Sequence, residues 1–232
     1  MKIVEKGQAK INLGLDILGM RPDRYHEVAM LMQSLALADT VALTDAPELV
    51  VTTDRDDLEG GPSNLAYQAA ELMGRFARRT PRVHIHIEKK IFLAAGLAGG
   101  STDAAAYLRG MDRLYGLGLG REGLRVLAAE LGADVPFCID GGAAAAAGIG
   151  ERLTPVESHL PLWLVITKPK AGCSTPAMYR RIDEMGESLR QRFTTQEAAK
   201  ALEKGDLAGL CGSLYNVFEE VTALPELSEI RQ

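Results

Sequence analysis

IFLAAGLAGGSTDAAAYL, residues 91–108, decides the fold: glycines and alanines give way to Ser101, Thr102 and Asp103, and then to an apolar helical run. Gly96, Gly99 and Gly100 tolerate positive φ and let backbone N–H groups converge into a concavity. A helix starting near Ser101 adds its unpaired N–H groups and its positive dipole end. Such a place suits phosphate. Ser101 or Thr102 is expected to cap the helix, with Asp103 in the first turn, and the hydroxyl that is not capping is available to a phosphate oxygen or a magnesium ion. Ala104, Ala105 and Ala106 let the helix lie close to a sheet. The same residues also describe a capped, glycine-rich connection from strand to helix that binds nothing. Neither GxxxxGK[ST] nor GxGxxG occurs, so any phosphate here is held mainly by backbone.

The whole chain has 232 residues, 47% hydrophobic and 25% charged, enough for one large or two modest domains with a real core. Its net charge of −5 leaves no basic surplus to replace the counterions of a nucleic acid. The Lys89–Lys90 and Arg78–Arg79 pairs read as local features. Cys138, Cys173 and Cys211 form no CxxC pair, which suggests neither a disulfide framework nor a zinc site and makes reduced thiols and a cytoplasmic location the expectation. No window approaches the roughly 18 apolar residues of a membrane span, and MKIVEKGQAKINLGL has no uninterrupted apolar core of a leader.

Outward from the central stretch, residues 2–18 alternate loosely and predict one or two strands broken near Gly7, with Lys10 and Asn12 on one face of the second. A lysine on a strand is usually solvated. GMRPDRYHE, residues 19–27, predicts a turn ending in Tyr25 and His26, which either pack or recognise a planar heterocycle. Residues 28–53 predict strands with a turn at Asp45–Pro47. Ser63–Asn64 predicts a cap for a helix carrying Leu65, Ala69, Leu72, Met73 and Phe76. RVHIHIEK at 82–89 predicts a half-buried strand with His84 and His86 on one face, too few ligands for a metal. Residues 121–131 predict a helix ended by Gly132. Asp134 stands just before Val135–Pro136, where the proline favours an extended Val135 and the aspartate reads as a turn former. Ala143–Ala147 predicts a closely packed strand, GIGERLTP a turn, and PLWLVITK at 161–168 a strong strand. Beyond them a helix is expected from Ser174 or Thr175, followed by short helices at Glu197–Glu203 and Leu207–Leu214 and one near Pro225.

AKINLGL at 9–15, RYHEV at 24–28, AAGLAGGSTDAA at 94–105 and LGADVPF at 131–137 occur together in this order. On these motifs the sequence resembles the superfamily of galactokinase, homoserine kinase, mevalonate kinase and phosphomevalonate kinase, and within it the family acting on 4-diphosphocytidyl-2-C-methyl-D-erythritol. The match is specific from Met1 to about Thr175 and looser beyond.

The resemblance implies a transferase of α+β class: a two-domain small-molecule kinase fold with its active site in the interdomain cleft. Residues 1–150 would form the N-terminal domain with the phosphate loop and 151–232 the C-terminal domain. It implies transfer of the γ-phosphoryl of ATP, with Mg2+, to the 2-hydroxyl of a substrate carrying a cytidine diphosphate group, in the non-mevalonate route to isoprenoid precursors. By matched position, Asp134 is the base with Lys10 beside it, and the loop Ala94, Ala95, Gly96, Leu97, Ala98, Gly99, Gly100, Ser101 and Thr102 wraps the ATP phosphates. Asn64 and Leu65 belong to the adenine pocket. Tyr25 stacks on the cytosine, His26 hydrogen-bonds it, Asn12 lies near the acceptor and Thr175 on the acceptor side. No residue is assigned as a metal ligand, and neither nucleic acid nor membrane is a partner.

Three departures stand out. Asp23-Arg24-Tyr25-His26 replaces the family's Asp-Gly-Tyr-His, which would strain a left-handed Arg24 by about 1 kcal/mol. Phe92 to Ala95 replace a proline and a glycine. The third glycine-rich motif has no counterpart before Gln232, from which a truncated C-terminal domain is expected. A catalytically incomplete nucleotide-binding remnant, and another small-molecule kinase of the superfamily, are the alternative readings.

Overall fold

Alternation of apolar and polar residues from Lys2 to Met20 folds as one unbroken strand, β1, rather than two. Gly7 is not a break: a Cβ there would lie 3.0 Å from Cγ2 and from the carbonyl oxygen of Thr102, so glycine admits the helix that crosses it. The computed structural model describes residues 2–169, 174–186, 194–222 and 226. After β1 come β2 (His26–Asp45), β3 (Val50–Thr53), α1 (Leu65–Ala77), β4 (Val83–Glu88), α2 (Gly99–Tyr115), α3 (Gly120–Ala129), α4 (Val135–Asp140), β5 (Ala143–Ala147), β6 (Arg152–Val156), α5 (Thr175–Met185), α6 (Thr195–Lys204), α7 (Leu207–Ser213), β7 (Tyr215–Asn216) and a 3-10 turn at Val217–Glu220. The expected helix at Pro225, Cys173 and the final Arg231–Gln232 lie outside the described residues.

Two compact units emerge: Met1–Ile11 with Ser34–Gly141, and Asn12–Gln33 with Gly142–Gln232. They do not coincide with the single boundary expected near residue 150, because β1 and β2 are long enough to contribute one end to each.

In the first unit the strands run β3-β4-β2-β1. β2 pairs antiparallel with β4 from Thr40↔Glu88 to Asp45↔Val83, and β3 parallel with β4 from Val50↔His84 to Thr53↔Ile87. Val41, Leu43, Ile85 and Ile87 from the strands and Met73, Tyr107, Leu108, Met111 and Phe137 from the helices are fully buried. Each such side chain contributes about 1.5–3 kcal/mol relative to exposure. His84 and His86 share a face as expected and both meet the Thr52 hydroxyl, at 2.7 and 2.9 Å.

In the second unit β5 lies between β2 and β6, antiparallel to both, with Met30↔Ala146 and Ala145↔Thr154 in register. Pairing on both sides overrides alanine's weak strand propensity. β7 runs parallel to β1 at Gly14↔Tyr215. The segment 161–168 is not a strand: it joins no ladder among the described residues, and Trp163 and Val165 are 97% and 96% exposed. Its composition is strand-like, but composition cannot supply the neighbour that a strand requires.

A buried cluster fixes the start of the central stretch. Lys89, at the end of β4, places its ammonium between Asp39 of β2 and Asp103 of α2, the latter at 2.6 Å, with all three side chains at most 3% exposed. The second oxygen of Asp39 accepts the N–H groups of Lys90 (2.5 Å) and Ile91 (2.8 Å). Lys89 and Asp103 are therefore both core residues of the first unit. Burial pushes the Asp103 carboxyl up to about 7, opposed by Lys89 and reinforced by Asp39.

Between the ordinary carboxylate range near 4 and that value of about 7, the folded chain keeps a proton that the unfolded chain has lost, so this group's contribution to stability falls as pH rises. In Asp103→Asn that slope is absent. Thermal midpoints of parent and variant measured from pH 5 to 8 will diverge in the variant's favour with rising pH, and a pH-independent gap would exclude the mechanism. A second expectation concerns the β1–β2 turn, where Arg24 has φ 67° as anticipated. Arg24→Gly relieves that strain and should stabilise the chain by up to about 1 kcal/mol in denaturant unfolding, whereas a loss would show the arginine to be held by contacts worth more than the strain.

Candidate active site

β1 carries Lys10 into the first unit at 5% exposure, where burial of an ammonium demands partners. Its Nζ lies 3.5 Å from Oδ2 of Asp134, joining residues more than a hundred positions apart. Asp134 is the N-cap of α4, yet its side chain makes no capping bond, so the carboxylate faces Lys10 and solvent instead of the helix end. The expected extended Val135 is instead the first residue of α4: Pro136 occupies the first turn, where its missing N–H has no partner to lose.

Ala94, Gly96 and Ala98 all adopt positive φ, 51°, 72° and 58°, whereas Gly99 and Gly100 do not. The left-handed positions alternate, a geometry that gathers successive N–H groups on one side. The expectation for Gly96 therefore holds, but two of the three special positions are alanines, each strained by about 1–2 kcal/mol. Gly99 serves close approach: a Cβ there would sit 3.3 Å from both Lys89 Nζ and Ile91 Cγ2. α2 begins at Gly99, two residues before the expected start, with Ala98 at the N-cap and no side-chain cap from Ser101 or Thr102. Its first intrahelical bond runs from the Thr102 N–H to the Ala98 carbonyl at 2.9 Å, so the N–H groups of Gly99, Gly100 and Ser101 precede the ladder.

Three links tie this turn to β1. The Thr102 hydroxyl donates to the Gln8 carbonyl at 2.8 Å, the Lys10 N–H donates to the Leu97 carbonyl at 3.1 Å, and Gly7 admits Thr102. The loop and Lys10 are thus one rigid piece. Asn64 caps α1 as expected, its Oδ1 accepting from the Ala66 N–H at 2.9 Å while Nδ2 donates to the Glu59 carbonyl at 3.0 Å. Leu65 Cδ1 lies 3.5 Å from where a Cβ on Gly100 would stand, which brings it to the start of α2. Cys138 is buried beneath Asp134, and desolvation first, then the Asp134 charge, push its thiol up to about 12, so it packs rather than reacts.

In the second unit Asn12 lies on β1 and Thr175 opens α5, exposed, after Ser174 at the N-cap. Tyr25 is 60% exposed with its ring available. His26 stacks on Tyr179, with ring centroids 4.6 Å apart and planes 18° from parallel, and its Nε2 lies 2.7 Å from Asp183 Oδ1. Tyr179 in turn meets the edge of Phe218 at 5.1 Å. Sequence reasoning missed Tyr179, Asp183, Asp39 and Lys89. Tyr179 and Asp183 did leave a signal, since a spacing of four on an expected helix puts them on one face. The Asp39–Lys89 contact left none. Among the described residues no group of three or more histidine, cysteine or acidic side chains is placed to hold a metal, and no helix is long and apolar enough to cross a membrane.

Residues 64–142 match the family described as GHMP kinases N terminal domain. The chain is similar to the 4-diphosphocytidyl-2-C-methyl-D-erythritol kinase of Alkaliphilus metalliredigens, 45% identical over 225 residues that cover 96% of this chain and 77% of that one. It is likewise similar to the kinase of the same name from Bacillus pumilus, 44% identical over 236 residues, covering all of this chain and 81% of the relative. A crystal structure of 4-(cytidine 5'-diphospho)-2C-methyl-D-erythritol kinase superposes with a TM-score of 0.76 at 32% identity, over 99% of this chain and 81% of that one. The L. major mevalonate kinase shares the fold alone, with a TM-score of 0.71 at 15% identity. Likeness over nearly all of this chain at this level, on a fold that carries a lysine–aspartate pair beside a left-handed turn at the start of α2, places the chain in the 4-diphosphocytidyl-2-C-methyl-D-erythritol kinase family of ATP-dependent GHMP kinases.

Proposed function

We propose that this chain transfers the γ-phosphoryl group of ATP to the 2-hydroxyl of 4-diphosphocytidyl-2-C-methyl-D-erythritol, with Asp134 and Lys10 as its catalytic residues. One observation carries the assignment of roles: Lys10 reaches Asp134 with its side chain at 3.5 Å while its backbone N–H holds Leu97 of the phosphate turn. A single residue thereby ties the base to the place where the triphosphate would lie.

Phosphoryl transfer asks little covalent chemistry of a protein and much positioning. Asp134 is the carboxylate that receives the proton of the acceptor hydroxyl, and the Lys10 ammonium stabilises the negative charge that grows on that oxygen. The backbone of Ala94 to Ser101, with the unladdered N–H groups of Gly99, Gly100 and Ser101, faces the phosphates. Leu65 supplies apolar surface for the adenine, and Asn64 holds that wall in place through its cap. The turn accommodates an anion: its N-cap side chain is a methyl, and nothing stands within 4 Å of a Cβ built on Gly96. Mg2+ would be bound chiefly by the phosphate oxygens, with Ser101 as the protein hydroxyl nearest in role, because Thr102 is buried against β1. When bound, the ion neutralises phosphate charge. In the second unit Tyr25 offers its exposed ring to the cytosine and His26 a hydrogen bond, with Asn12 and Thr175 contributing to the acceptor.

Asp134→Asn and Lys10→Ala should each lower kcat by at least a hundredfold while preserving the thermal stabilisation that ATP gives the parent chain. Near-normal turnover in either variant would overturn the assigned roles. Stabilisation of the parent by ATP with no turnover at all would favour the nucleotide-binding remnant. Tyr25→Ala should raise KM for the cytidine-bearing substrate about tenfold or more with little change in ATP affinity, and an unchanged KM would remove Tyr25 from the base site.

A further inference from the structure

We infer that Asp183 is a positioning residue: by fixing which nitrogen of His26 carries the proton, it makes the base site select cytosine over uracil. The inference rests on the reading of His26 as a base contact. An ionised carboxylate only accepts hydrogen bonds, so the 2.7 Å contact between Asp183 Oδ1 and His26 Nε2 puts the imidazole proton on Nε2. In the neutral ring Nδ1 then carries a lone pair and is an acceptor.

The ring has no freedom to reverse this. Turning it by 180° about its bond to Cβ would carry Nε2 away from Asp183. The stack on Tyr179 at 4.6 Å and 18° fixes its plane, and Phe218 backs Tyr179 edge-on at 5.1 Å. Tyr179 and Asp183 project from the same face of α5, so one helix supplies both restraints. His26 is 10% exposed at its side chain and Asp183 is 44%, so the dyad is shielded on the histidine side and open on the aspartate side.

An acceptor at Nδ1 has a definite preference between the two pyrimidines. Cytosine presents an exocyclic amine that donates, and beside it a ring nitrogen that accepts. Uracil reverses both. The register that gives Nδ1 an amine proton in cytosine sets two acceptors against each other in uracil. A polar site built for one pattern rejects the other by more than apolar contacts can. Asp183 touches neither base nor reacting atoms, and acts through the proton it assigns.

The experiment compares kcat/KM for the cytidine-diphosphate substrate and its uridine-diphosphate counterpart in the parent chain, Asp183→Ala, Asp183→Asn and His26→Ala, with thermal midpoints recorded for each. Asp183→Ala should cut the cytidine-to-uridine ratio about tenfold or more, mainly through KM of the cytidine substrate and with kcat within about twofold, the scale of one oriented hydrogen bond. Asp183→Asn keeps the side-chain shape and an oxygen able to accept from Nε2, and should recover part of the ratio. A ratio unchanged in both Asp183 variants but collapsed in His26→Ala overturns the inference and leaves the base-site reading intact. A ratio and KM unchanged in His26→Ala overturn that reading itself, and the inference with it.

Discussion

One ammonium group held between two buried carboxylates is the constraint from which the turn before α2 and the part of the first unit around it hang. Lys89, Asp39 and Asp103 are almost wholly removed from solvent, and each comes from a different element. Burying such charges costs several kcal/mol per ion unless each finds a partner, so the cluster persists only while β2, β4 and α2 keep their places. Its geometry reaches further than its charge. Asp39 fixes the N–H groups of Lys90 and Ile91, and Lys89 Nζ stands 3.3 Å from where a Cβ on residue 99 would lie, a close approach that favours glycine there. The entry to the turn and the first residue of α2 are thereby both held by this cluster. Burial first, and then the neighbouring Asp39 charge, let Asp103 hold its proton well above the usual carboxylate range against the pull of Lys89.

The exit of the same turn is set by β1. Gly7, Gln8 and Lys10 contact Thr102, Thr102 and Leu97 respectively, so a four-residue length of strand positions the loop, the helix start and the ammonium facing Asp134. A strand is well suited to this work: its alternate residues project the same way at fixed spacing, and pairing along its edges prevents it from yielding. The chemistry attributed to Lys10 and Asp134 thus depends on backbone more than on either side chain's own reach.

How far the sequence disclosed this depended on the distance over which each feature is written. The Asn64 cap, the α5 start at Thr175 and the paired faces of β4 are encoded within a few residues, and all are found where local chemistry puts them, whereas the left-handed Arg24 was legible only from the family motif. The Lys10–Asp134 pair came only from family motifs, because nothing within either stretch specifies the other. The Asp39–Lys89–Asp103 cluster spans 64 positions, and each member alone resembles a surface residue, so no local pattern reveals it. Residues 161–168 err in the opposite sense: the apolar run is there, but a ladder needs a second strand, and none among the described residues supplies it. The start of α2 was misplaced for a similar reason, since Thr102 is spent on a distant carbonyl rather than on its own helix.

Backbone strain marks the same places. Among the described non-glycine residues, Arg24, Arg78, Ala94 and Ala98 have positive φ. Arg78 ends α1 in the left-handed conformation common after a helix, with its N–H bonded to the Arg75 and Gly74 carbonyls. The other three lie in the segments assigned to base recognition and to the phosphate turn. At each, glycine would relieve about 1 kcal/mol, and the surrounding bonds are what hold the residue there: Arg21 and Asp23 brace the Arg24 turn, and the Leu97 and Ala98 carbonyls are both engaged. The bonds around the turn hold Ala94 and Ala98 in a conformation that alanine alone disfavours, and alanine has fewer alternative shapes to sample than glycine would. For the phosphate-binding role proposed for this loop, a single shape matters more than relief of strain, because hydrogen bonds aimed before the ligand arrives need no ordering when it does.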